Sequence, residues 1–94
     1  MFQTEMTVGT TYWSRRAKEV LVFDDVRVAI ALYSSGDWGD VTRRIAERNI
    51  HCVRDEGQVI GFYRDRNKQG FWIITETLHK YTEIKLADEH WDEH

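Results

Sequence analysis

Residues 36–40, Gly36-Asp37-Trp38-Gly39-Asp40, read GDWGD and separate two segments whose apolar residues have helical spacing. The two glycines permit a sharp change of chain direction, and aspartates form Asx turns and begin helices. The carboxylates of Asp37 and Asp40 could instead form a pair for acid–base chemistry or for Mg²⁺. Because every residue of the stretch has a structural reason, we interpret it as a helix–helix corner that Trp38 anchors in the core.

The segments around the corner carry the signals of helix ends. Asp24 or Asp25 can cap the preceding helix, VRVAIALYSS, which Gly36 then stops. Asp40 can cap the following helix, VTRRIAERNIHC, and Ser14 can cap a shorter helix that runs to residue 21. The helix before the corner has one apolar stripe, at Val26, Ala29, Ile30 and Tyr33.

From residue 56 onward the apolar period changes from that of a helix to that of a strand. Residues 56–65, 70–76 and 81–87 predict three strands, the first two joined as a hairpin, and residues 5–13 are also rich in strand formers. Strand 81–86 alternates cleanly, which predicts an edge or outer position. The sequence therefore predicts an α+β domain: a three- to four-stranded antiparallel sheet ending in a C-terminal β-meander, with two to three short helices packed on one face.

Size and composition restrict the classes of protein. The 94 residues predict a single domain over 1–94, and the formal net charge of −3 argues mildly against a nucleic-acid binder. An acidic protein of this size suits a basic protein surface better. The lone Cys52 excludes an internal disulfide, and no signal peptide or long apolar run is evident. We expect a cytoplasmic protein without a cofactor.

A set of residues from Gly36 to about His90 resembles a family of small bacterial proteins encoded by plasmids, phages and other mobile elements. The family pattern runs from GDWGD to WIITE. The matching residues are Gly36, Asp37, Trp38, Gly39, Asp40, Asn49, Tyr63, Trp72, Thr75, Glu76 and Thr82. The sequence departs from the pattern at Tyr33, Ile45, Gln58, Gly61, His79 and Ala87. The resemblance implies a bacterial, mobile-element setting rather than a chemistry.

Two further constellations could carry chemistry. Glu76 and His79 lie at the predicted end of a strand and could act as a base and its orienting partner. No nucleophile or third ligand accompanies them at a recognisable spacing, so a surface pair is the preferred interpretation. His90 and His94 are one helical turn apart in the acidic segment 88–94, which we expect to fray, and metal ligation there is the less favoured hypothesis. Trp91 could anchor that segment or contact a partner.

These observations favour a non-enzymatic accessory protein of a phage or mobile element that acts by protein–protein binding. One concrete form is an anti-CRISPR-like inhibitor that occupies the basic surface of a nucleic-acid-binding host complex. The alternatives are a small metal-dependent hydrolase that uses Asp37, Asp40, Glu76 and His79, and a nucleic-acid-binding module. The module would use Arg43, Arg44, Arg64 and Arg66. The outer strand is also compatible with a homodimer. The candidate binding residues are Asp37, Trp38, Asp40, Asn49, Tyr63, Glu76, His79 and Trp91.

Overall fold

A computed structural model describes residues 8–94 and has the predicted α+β class. The elements in chain order are β1 (Thr10–Trp13), α1 (Arg15–Val20), α2 (Phe23–Ser34), α3 (Arg43–Asp55), β2 (Val59–Arg64), β3 (Gly70–Thr75), a 3-10 turn (Thr77–His79) and β4 (Tyr81–Leu86). The predicted β-rich segment 5–13 lies partly outside the described residues, and its described part contains β1.

The four strands form one mixed sheet in the order β1-β4-β3-β2. β2 and β3 form the predicted antiparallel hairpin, and β4 continues antiparallel to β3. The prediction of a fully antiparallel sheet is wrong at one edge, because β1 pairs parallel to β4, with Thr10 opposite Tyr81. This pairing also corrects the predicted outer position of strand 81–86, which lies between β1 and β3.

Two of the predicted helix caps are wrong. α2 begins at Phe23, so Asp24 and Asp25 occupy its first turn, where their charge favours the helix dipole, rather than capping it. α3 begins at Arg43, and its N-cap is Thr42, whose hydroxyl accepts a hydrogen bond from the Ile45 N–H at 3.2 Å. Ser14 caps α1 as predicted, accepting from the Ala17 N–H.

The helix stop at Gly36 is as predicted. The Gly36 N–H donates to the Tyr33 carbonyl at 3.2 Å, and the Asp37 N–H donates to the Leu32 carbonyl at 2.9 Å. These two bonds are those of a Schellman motif, which needs a left-handed residue, and Gly36 has a φ of 97°.

The main core lies on one face of the sheet, under the helices. Strand alternation places Val59, Tyr63, Ile73 and Ile84 on this face, among other buried residues. The helices contribute Ala17, Leu21, Val26, Ala29 and Tyr33, with Cys52 and Val53 of α3 packed against them. Cys52 is a free thiol and is half-buried.

The outer edge of β2 is closed by groups from two other segments. The Phe62 N–H donates to the Trp38 carbonyl at 3.0 Å, and the Asp40 N–H donates to the Phe62 carbonyl at 2.8 Å. Two residues earlier, the fully buried Asn49 side chain accepts from the Ile60 N–H at 3.2 Å and donates to the Ile60 carbonyl at 2.8 Å. The corner and α3 therefore act together as a substitute for a fifth strand.

Replacement of Asn49 by Ala should cost about 3 kcal/mol of unfolding free energy, since it leaves the buried Ile60 N–H and carbonyl without partners. The measurement is chemical denaturation. Ile50→Ala is the matched control, because the adjacent Ile50 side chain is 60% exposed and should lose less than about 0.5 kcal/mol. Equal losses in the two variants would contradict this account of Asn49.

Candidate functional site

Several groups of the GDWGD corner form hydrogen bonds that fix the local backbone. Asp37 accepts a hydrogen bond from the Gly39 N–H at 3.1 Å, which is an Asx turn, and its main-chain carbonyl accepts from the Tyr63 hydroxyl at 2.7 Å. Gly39 has a φ of 73°, and a Cβ there would lie 2.2 Å from the Phe62 carbonyl oxygen. Trp38 is half-buried and packs against the core. The corner therefore has a structural explanation that requires no ligand.

Asp40 pairs with Arg64 at 2.8 Å on the surface rather than beginning α3. Its side chain and that of Arg64 are both more than half exposed, so this ion pair contributes little to stability. Tyr63, in contrast, is buried beneath the corner, and burial raises the pKa of its hydroxyl well above the ordinary range. Asp40, Asn49 and Tyr63 therefore each form contacts within the fold.

The four residues of the hydrolase hypothesis lie in two separate places. Asp37 and Asp40 lie on either side of Gly39, which forms a β-bridge with Phe62. Glu76 directly follows β3 and lies opposite Gln58. Gln58 and Phe62 are four residues apart along the chain, which is roughly 13 Å at the usual rise per residue of a strand. His79 turns its Nε2 to the Gly57 carbonyl at 2.9 Å. No group of three or more His, Cys, Asp or Glu side chains within residues 8–94 is arranged to hold a metal ion.

The structure instead brings Glu76 and Trp91 together. Residues 88–94, which we call the acidic segment, cross the face of the sheet opposite the main core, and Trp91 packs on Trp72 of β3 with ring centroids 5.0 Å apart. A cleft of about 240 Å³ lies between this segment and the sheet. The residues that line the cleft are Glu76, Tyr81, Glu83, Lys85, His90, Trp91, Asp92 and His94.

The sheet supplies one wall of the cleft through strand alternation. Tyr81, Glu83 and Lys85 occupy every second position of β4, so all three side chains leave the sheet on the same face. Glu76 joins them from the end of β3, where its N–H donates to the Tyr81 carbonyl at 3.0 Å. This wall combines two carboxylates, an ammonium group and a phenol ring.

The acidic segment supplies the other wall. At its beginning, Glu89 accepts hydrogen bonds from the Ser14 hydroxyl at 2.6 Å and the Leu86 N–H at 2.7 Å. Further along, Lys85 donates to the His90 carbonyl at 3.0 Å, and the amide of Gln58 donates to the Asp92 carbonyl at 2.8 Å. In the structure the segment contacts the rest of the chain along its length. The fraying of residues 88–94 stays a prediction.

The cleft is electronegative. Glu76, Glu83 and Asp92 bring three carboxylates, against the single ammonium of Lys85, and the histidines count as neutral at pH 7. Lys85 is itself 3.9 Å from Glu83. Burial raises the pKa of Tyr81, and the charges of Glu76 and Glu83 raise it further. A cation that enters the cleft would therefore meet negative charge and two aromatic rings, Tyr81 and Trp91.

The arginines of the nucleic-acid hypothesis already have carboxylate partners. Arg43 pairs with Glu47, Arg44 with Glu93, Arg64 with Asp40 and Arg66 with Asp25. The other five arginines of the chain, Arg15, Arg16, Arg27, Arg48 and Arg54, also lie within 4.0 Å of a carboxylate. Basic and acidic charge is thus interleaved over the described surface, whereas phosphate binding favours a continuous basic face.

A second depression, of about 330 Å³, lies between α2 and the β2–β3 hairpin. Val28, Leu32 and Tyr63 form its apolar part, and Asp25, Arg64 and Arg66 lie at its margin. Both marginal arginines are in ion pairs, Arg66 with Asp25 and Arg64 with Asp40. The depression offers apolar contact area without a net charge.

The sequence singles out Glu76, His90, Trp91 and His94 among the residues that line the cleft, but it does not indicate that they share one site. The alternation of strand 81–86 is the signal that places Tyr81, Glu83 and Lys85 on one face. Gln58 is a polar residue with 1% exposure, and its sequence position one residue before a strand gives no indication of its contact with the acidic segment.

Comparison with protein-family models, with curated proteins and with solved structures finds no match to this chain. The resemblance of residues 36–90 to a mobile-element family therefore stays a prediction. Among residues 8–94, no helix has both the length and the apolar character needed to cross a membrane.

Acid should release the acidic segment before it unfolds the domain. The hydrogen bond from Arg44 lowers the pKa of Glu93, so docking is favoured above the ordinary glutamate pKa of about 4.3 and lost as pH falls through the lower, folded value. The expected result is a loss of circular dichroism from the Trp72–Trp91 contact below about pH 4. Glu93→Gln should show much of that loss at pH 7. A signal that is retained until the domain itself unfolds in acid would contradict the assignment.

Proposed function

We propose that this protein acts without catalysis, by binding a protein partner through the cleft between the acidic segment and β4. The observation that carries the proposal is the composition of the cleft, in which three carboxylates and two aromatic rings surround one ammonium group. The partner supplies a basic side chain, arginine or lysine, from a basic surface.

The chemistry of the cleft suits a guanidinium group best. Carboxylates such as Glu76 and Glu83 accept charge-assisted hydrogen bonds from arginine, and its flat cation stacks on aromatic faces such as Trp91. The cleft is only partly shielded from water, since the Glu83 side chain is 30% exposed and that of Asp92 75% exposed. A single inserted side chain therefore gives modest affinity, and contacts around the cleft must add to it.

The biological form that we propose is inhibition of a host defence complex, as an anti-CRISPR protein would do. Surfaces that bind nucleic acid are rich in arginine and lysine, so an electronegative cleft complements them. The setting in a phage or other mobile element rests on the resemblance of residues 36–90 to that family of bacterial proteins. A cytoplasmic location follows from the same proposal.

The direct test measures binding of two short peptides by NMR titration. One is Gly-Ser-Gly-Arg-Gly-Ser-Gly, and the other carries citrulline, which is uncharged, in place of arginine. We expect the arginine peptide to shift the resonances of Tyr81 and Trp91 and to bind at least about tenfold more tightly, a difference of about 1.4 kcal/mol. Equal binding of the two peptides, or no binding of either, would contradict the proposal.

A matched pair of variants locates the binding site. Glu83→Gln removes one cleft carboxylate and should weaken the arginine peptide by about threefold to tenfold, about 0.7 to 1.4 kcal/mol. Glu47→Gln is the control, because Glu47 lies on the outer side of α3 in an exposed pair with Arg43. The same two variants serve as baits in a pull-down from a bacterial host at near-physiological salt, and a relevant partner is one that Glu47→Gln retains and Glu83→Gln loses.

A further inference from the structure

One wall of the cleft is a segment without regular secondary structure. Residues 88–94 contain no strand or helix, so no backbone ladder fixes them, and their position depends on contacts with the rest of the chain. A cleft formed in this way is complete only while the segment stays docked. The groups that dock it therefore control the shape of the site.

The end of the segment is held by two arginines of α3. Arg44 approaches both carboxylate oxygens of Glu93, at 2.8 and 3.1 Å, which is the bidentate arrangement. Arg48 lies 3.1 Å from the same carboxylate and also donates to the main-chain carbonyl of His94. The two residues are four apart on one helix, so they reach the segment from the same side.

The Arg48–Glu93 pair is more shielded from water than the Arg43–Glu47 pair of the same helix. The Arg48 side chain is only 20% exposed and that of Glu93 34%, whereas Arg43 and Glu47 are 92% and 63% exposed. Partial shielding from water strengthens a charge pair, and sharing one carboxylate between two guanidinium groups adds to the effect. Arg43 therefore provides a matched comparison on the same turn of α3.

Gln58 completes the attachment with two hydrogen bonds to the backbone of the segment. Its amide nitrogen donates to the Asp92 carbonyl at 2.8 Å, and its amide oxygen accepts from the His94 N–H at 2.8 Å. A buried amide that both donates to and accepts from the main chain fixes the register of the segment, as a neighbouring strand would.

We infer that Arg44, Arg48 and Gln58 are positioning residues that hold the acidic segment in place as the movable wall of a cation-binding cleft. None of the three lines the cleft. Arg44 and Arg48 act on the bound side chain through the segment, and Gln58 also donates to the Glu76 carboxylate at 3.3 Å. This inference rests on the proposed function for what the cleft binds, but the docking of the segment can be measured independently. Binding of a cation and docking of the segment should be coupled, because a ligand that needs both walls favours the docked state.

The Trp72–Trp91 contact gives a direct readout of docking. The two indole rings are 5.0 Å apart and inclined by 63°. Rings held at this distance and at a fixed angle couple their electronic transitions and produce a paired positive and negative band in circular dichroism. Trp91→Phe should abolish this band and defines the signal of a segment without the contact.

The experiment compares Arg44→Gln/Arg48→Gln with Arg43→Gln. The double variant should lose most of the paired band and bind the arginine peptide at least about fivefold more weakly, while Arg43→Gln should match the wild type in both. Arg44→Lys/Arg48→Lys keeps the charges without the bidentate geometry and should recover part of each signal. Arg44→Gln alone, at a side chain 66% exposed, gives the same comparison with less risk to the fold.

The outcomes separate this inference from the proposed function. If the wild type binds the arginine peptide and Arg44→Gln/Arg48→Gln retains both the band and the affinity, the positioning role is overturned and the proposed function stands. If the wild type does not bind the peptide, the proposed function fails. The band then decides the remaining question: its loss in the double variant supports the positioning of the segment by the arginines, and its retention overturns it.

Discussion

The outer edge of β2 is the constraint on which the rest of the structure depends. An edge strand presents backbone N–H and carbonyl groups that must find partners once they are covered. In this chain the partners are Trp38 and Asp40 at Phe62 and the Asn49 side chain at Ile60. The GDWGD corner is therefore a short substitute strand, and its glycine at position 39 is required because a Cβ would meet the Phe62 carbonyl.

Closing this edge also determines where α3 lies and, through α3, where the cleft forms. With Asn49 fixed against Ile60, the adjacent Arg48 and Arg44, one helical turn before Arg48, reach the acidic segment on the face opposite the main core. Their ion pairs with Glu93 hold the segment over β4. Closure of the β2 edge thus connects the GDWGD corner with the electronegative cleft, although no residue of the corner lines the cleft.

Local signals in the sequence predicted the parts of the fold that depend on neighbouring residues. The Schellman stop at Gly36, the Ser14 cap and the β2–β3 hairpin follow from residues close together in the chain. Two expectations are wrong because of distant contacts. Asp40 has the residue type of a helix cap, but its N–H bonds to Phe62 of β2, and strand 81–86 alternates like an outer strand but has β1 as a neighbour. The acidic segment lacks any periodicity that predicts its contacts with the sheet. The cleft could not be predicted because its two walls meet only through these contacts.

Amide hydrogen exchange of residues in β2 tests the closed edge most directly. The N–H groups of Ile60 and Phe62 point away from β3 and bond to Asn49 and Trp38, so residue-resolved exchange by NMR should show them protected to within about tenfold of the Ile74 amide in the interior of the sheet. Exchange of both amides near the rate of an unprotected chain, with Ile74 still protected, would show that the edge of β2 is open and would contradict the account.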